Sequence, residues 1–112
     1  MKINNSEYGG FVVSKNILKG IPIAYSFREK ATVENLNGWT IYSANDSDEY
    51  VNDPKNFTII NATTIYQIAP VILEIYHAPY GTDLYWNYHK NIHTGFYDLK
   101  DENEIAINEI RN

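Results

Sequence analysis

The sequence predicts an α+β fold: a single small domain, mostly antiparallel sheet, with one or two short helices packed on it. Three observations lead there. A chain of 112 residues has the size of one domain and can bury one modest core. Its apolar and aromatic residues fall in short β-type runs broken by Gly, Pro, Asn and Asp. Its helical signals are equally short and sit between those runs.

The elements follow in order. Phe11 to Ser14 is a β-type run after the Gly9-Gly10 break. Ser14 can cap Lys15 to Gly20, which reads as one helical turn or a tight loop. Pro22 to Phe27 is a second strand, with Ile23, Tyr25 and Phe27 expected on one face. Arg28 to Asn37 is polar and aperiodic, hence a loop, and Asn37-Gly38 is a turn signal. Trp39 to Tyr42 is a third strand, with Trp39 and Ile41 sharing a face.

A dense acidic segment comes next, carrying Asp46, Asp48, Glu49 and Asp53 and closed by Pro54. Residues 47–51 suit a short helical turn capped by Asp46 or Ser47, with acidic residues at its positive end. Phe57 to Ile60 is a fourth strand. Asn61 suits the cap of a helix over 63–68, and Pro70 can open a second, with Val71, Ile72 and Ile75 as its apolar face. Ala78 to Gly81 is a turn, and Asp83 to Tyr88 and Thr94 to Leu99 are strands. Residues 100–112 fit neither period cleanly and read as a docked helix or an edge strand.

Composition narrows the function classes. There is no cysteine, so disulfides, thiolate zinc sites and cysteine nucleophiles are excluded. The net charge of −5 argues against partners held by a basic surface, so nucleic acid and anionic membrane are not expected. It favours a basic partner or serves solubility. No apolar run at the N-terminus suggests a leader, so the expected location is cytoplasmic, or export by a route not encoded here. The ten tyrosines suit half-buried strand positions and also interfaces.

Catalytic motifs are thin. Asp46-x-Asp48 resembles the opening of a calcium loop, but Val51 stands where the loop needs glycine and Phe57 where it needs glutamate. His89 and His93 have the spacing of paired helical ligands, yet Lys90 follows His89 and the surroundings read as strand and loop. No Gly-x-Ser-x-Gly elbow or phosphate loop is present. A metal-dependent hydrolase is therefore the weakest reading, and no cofactor is expected. The acidic segment itself reads as a solvated, capped turn or as a protein-binding patch.

Several pieces in a fixed order resemble one bacterial family. They are Val13-Ser14-Lys15, Ile23-Ala24-Tyr25-Ser26-Phe27-Arg28-Glu29, Gly38-Trp39-Thr40-Ile41-Tyr42-Ser43, Asp46-Ser47-Asp48-Glu49-Tyr50 and Asn52-Asp53-Pro54-Lys55-Asn56. They continue through Ile68-Ala69-Pro70 to Ala78-Pro79-Tyr80-Gly81-Thr82. Together they resemble the immunity-protein-33-like domains, long labelled a domain of unknown function, over roughly residues 10–88. Residues 89–112, with two histidines and an acidic tail, read as a C-terminal extension outside the family pattern.

The resemblance implies a non-catalytic bacterial protein that binds and neutralises a cognate polymorphic toxin. For that role Asp46, Asp48, Glu49 and Asp53 are the expected steering patch, and exposed members of Tyr85, Trp86 and Tyr88 the expected anchors. The alternative is a small binding or regulatory module with a non-toxin partner, a second copy of the chain included.

Overall fold

The computed structural model describes residues 3–111. Seven strands form one sheet in the order β4-β1-β3-β2-β5-β6-β7. They are β1 (Gly10–Ser14), β2 (Ile23–Arg28), β3 (Leu36–Ser43), β4 (Phe57–Ile60), β5 (Asp83–His89), β6 (Ile92–Asp98) and β7 (Asn103–Ile105). All neighbours pair antiparallel except β1 and β3, which run parallel. The fold is α+β, as the short alternating runs predict.

Six short helices are present among the described residues: α1 (Asn5–Tyr8), α2 (Lys15–Leu18), α3 (Asp48–Val51), α4 (Ala62–Ile68), α5 (Val71–Glu74) and α6 (Ile107–Ile110). A 3₁₀ turn spans Pro54–Asn56. The caps are local chemistry. The side chains of Ser14, Ser47 and Asn61 accept from the amides of Asn16, Tyr50 and Thr64. Helices this short are marginal alone, so their stability comes from what they bury.

They bury one side of the sheet. Phe11, Val13, Trp39, Ile41, Leu84, Trp86 and Phe96 from the strands pack with Ala62, Ile65, Ile72 and Ile110 from the helices and with Ile75 at the end of α5. Polar ties close this inner side. The Trp39 indole donates to the Tyr76 carbonyl at 3.0 Å. The Arg28 guanidinium donates to the carbonyls of Asn37, Tyr76 and Ala78 at 2.7–3.0 Å and lies against the rings of Tyr76 and Tyr80. Two separated motif pieces, Tyr25-Ser26-Phe27-Arg28 and Ala78-Pro79-Tyr80-Gly81, thus meet through one side chain. Their backbones meet as well, with Gly81 N donating to Arg28 O at 2.7 Å.

Two local expectations change, and a third is resolved. Ile23 does not share a face with Tyr25 and Phe27: Ile23 sits opposite Ser43 and Tyr25 opposite Tyr42, so the pairing slips by one residue at Ala24. A bulge of this kind flips the alternation, leaving Ile23 and Ser26 buried and turning Tyr25 and Phe27 outward. Asn37-Gly38 is not a turn but lies inside β3. Gly38 has φ +91°, and a Cβ there would stand 2.0 Å from the Glu29 carbonyl oxygen. The glycine allows a close backbone approach within the strand. Finally, the C-terminal segment is both things expected of it: β7 is an edge strand on β6, and α6 docks after it, burying Ile110.

Candidate interaction surface

Among the described residues, no helical layer covers the second side of the sheet. Its residues follow from strand alternation. Val12 lies opposite Thr40 and Ile59, Tyr25 opposite Tyr42 and Tyr85, and Tyr85 opposite Tyr97. None of Val12, Tyr25, Phe27, Tyr42, Phe57, Ile59 and Tyr85 belongs to the inner core. Ile59 is 60% and Tyr85 50% exposed.

The rings on this face touch one another. The centroids of Tyr25, Phe27 and Tyr42 lie 5.4–5.6 Å apart, and Tyr42 continues to Phe57 at 5.5 Å and Phe57 to Tyr50 at 6.4 Å. Tilted and edge-on ring pairs at this spacing are favourable. The segment from α3 through the 3₁₀ turn stands along the edge of this face. With the sheet it encloses a trough of about 590 Å³, floored by Val12, Phe27, Tyr42, Phe57 and Ile59, walled by Val51, Asn52 and Pro54, and lined by Glu29.

Carboxylates shape the electrostatics of the rings. Burial raises the Tyr25 hydroxyl far above its ordinary value, helped by its hydrogen bond to Asp83 and by the charges of Asp83 and Glu29. Tyr42 is raised by burial and then by the charges of Glu29 and Asp46. Asp83 Oδ1 is buried and without a hydrogen-bond partner. The outer face is thus aromatic, with the carboxylates of Glu29 and Asp83 beside its tyrosines.

The seven residues that the sequence singles out for partner binding divide sharply. The Asp46 carboxylate is engaged within the fold: it accepts from the Ser43 amide and hydroxyl and from the Asn16 side chain at 2.9 Å. Burial pushes its pKa up, but these hydrogen bonds outweigh burial and leave it below its ordinary value. Asp53 is exposed, and its carboxylate accepts from the Lys55 amide at the 3₁₀ turn. Asp48 and Glu49 are exposed in the first turn of α3.

Among the aromatics, Tyr85 is on the outer face. Trp86, its neighbour, points inward, is 4% exposed, and donates from its indole to Ser26 Oγ at 2.8 Å. A buried ring with a satisfied donor is a core residue, so Trp86 does not meet the condition of exposure set for an anchor. Tyr88 is 39% exposed, but its hydroxyl donates to the Ile23 carbonyl at 2.6 Å, and it lines a different cavity together with Ile23 and Trp86.

His89 and His93 lie on opposite arms of the β5–β6 hairpin, whose turn residues Lys90 and Asn91 both have positive φ. They are not one helical turn apart. The His93 ring packs tilted or edge-on against Trp86, Tyr88 and Phe96, and burial lowers its pKa.

The residues that sequence reasoning missed are Tyr25, Phe27, Tyr42 and Phe57 as one continuous surface. A usable signal existed in Thr40 and Tyr42 alternating with Trp39 and Ile41, which marks a second face on β3. What hid the rest was the bulge at Ala24.

No characterised protein and no solved structure matches the chain. One family does: the Immunity protein Imm33 domain matches residues 11–96, from the first residue buried in β1 to the ring of Phe96 in β6. With most of the sheet inside that match, the chain belongs to the Imm33 immunity-protein domain family.

Proposed function

We propose that this protein is a cytoplasmic immunity protein that binds and neutralises a cognate toxin, without catalysis of its own. Family membership over residues 11–96 is the observation that carries the reading. The geometry supports it in a specific way. A binding protein needs a face not already used by its own core, and the outer sheet face is one: aromatic, partly exposed and without a helical cover.

The surface has the anatomy of a protein interface. Partly exposed tyrosines would supply contact area, and the exposed Asp48, Glu49 and Asp53 would steer encounter. Tyr85 is the anchor at the opposite end of the face. Binding there occludes the toxin, so no reacting group is required of the immunity protein. No helix among the described residues is long and apolar enough to cross a membrane.

The test is co-expression with its cognate toxin. The expected result is a co-purified complex and rescued growth. A toxin that neither binds nor is neutralised overturns the reading.

A further inference from the structure

We infer that the trough on the outer face accepts an arginine side chain from the partner protein. The inference rests on the immunity reading for the source of that arginine, and on the trough itself for its chemistry.

The argument starts from the lining. The floor is mostly rings and branched aliphatics, Phe27, Tyr42, Phe57, Val12 and Ile59, with Thr40 and Thr58 among them. A single charged residue, Glu29, lines it. An apolar floor with one carboxylate selects a side chain that is largely apolar along its length and cationic at its tip. Lysine and arginine both answer that description. The rings decide between them, because a planar, weakly hydrated guanidinium stacks on aromatic faces and a strongly hydrated ammonium does so less well. The same chemistry operates inside this chain, where the Arg28 guanidinium lies 5.0 Å from the Tyr76 ring centroid and 4.9 Å from that of Tyr80.

Charge complementarity points the same way. Glu29 is exposed and is the one charged side chain lining the trough, so the trough is anionic before any partner arrives. Arg28, next in sequence to Glu29, is turned inward and held by three carbonyls, so it does not neutralise the trough. A volume of about 590 Å³ holds an arginine with its flanking backbone.

The test uses two capped pentapeptides, Gly-Gly-Arg-Gly-Gly and its lysine counterpart, titrated into the labelled protein and followed by amide NMR at low salt. The arginine peptide is expected to bind in the millimolar range and to shift Phe27, Tyr42 and Phe57 first. The lysine peptide is expected to bind about threefold more weakly. Glu29→Gln, an exposed position whose loss leaves the spectrum folded, is expected to weaken the arginine peptide about fivefold. Tyr42→Leu removes the ring and is expected to abolish the preference for arginine over lysine. Equal binding of the two peptides, shifts mapping to another surface, or a Glu29→Gln titration unchanged from the parent each overturns the inference. Growth rescue does not enter this test, so failure of the immunity reading and failure of the arginine site are separately visible.

Discussion

Asp46 and Asp48 lie two positions apart in one acidic segment and do different work. Asp46 is held by Ser43 and by Asn16, thirty positions away in the chain, so its carboxylate is committed to the fold. Asp48 is exposed in the first turn of α3. The caps Ser14, Ser47 and Asn61 were legible because a cap is chemistry within a few residues. The Asn16–Asp46 bond was not, because nothing local announces it. His93 poses the same problem and carries a pH prediction. Its Nε2 is buried without a partner, and burial lowers its pKa below the ordinary 6.5. The unfolded chain therefore binds a proton at a pH where the folded one does not. Stability is full above about pH 6.5 and falls as pH drops below it. Thermal melts from pH 8 to pH 5 are expected to show that decline in the parent, and His93→Phe is expected to flatten it.

At the scale of elements, strand existence was readable and strand facing was not. Every strand that the apolar runs predict is present, but a single extra residue at Ala24 reverses which side chains of β2 face the core. Gly38 was read as a turn because Asn-Gly usually is one; here the strand continues and the glycine admits the Glu29 carbonyl. That difference is measurable. Gly38→Ala is expected to cost more than about 3 kcal/mol, since the methyl group meets backbone that cannot retreat. Gly20 has a similar φ of +97° with nothing within 4 Å, so Gly20→Ala is expected to cost only about 1–2 kcal/mol. Chemical denaturation of the two variants checks this, and equal costs would contradict the close approach.

At the scale of the molecule, a net charge of −5 is not spread evenly in consequence. Asp48 and Glu49 are exposed and are the carboxylates proposed to steer a partner, while Asp46 holds two segments together. The paired change Asp48→Lys with Glu49→Lys is expected to leave the melting temperature within a degree or two and to slow toxin association about tenfold at low salt, an effect that fades as salt rises. Asp46→Ala is expected to do the reverse, losing about 1–3 kcal/mol of stability with little direct effect on association. Stopped-flow association and denaturant melts separate the two. A paired charge reversal that unfolds the protein, or that leaves association unchanged, removes α3 from the interface.

The sequence by itself determined the α+β class, the positions of the strands, the helix caps and the resemblance to the immunity family. These depend on periodicity, on contacts a few residues long, or on the order of short motifs. Only the tertiary structure decided that Trp86 is core while Tyr85 is surface, and that Asp46 is a latch. Only it assembled Tyr25, Phe27, Tyr42 and Phe57 into one open face. The physical reason is that a sheet has two sides and only one is covered. Which residues lie on the open side depends on register, bulges and where the helices pack, and those are settled by contacts between segments far apart in the chain.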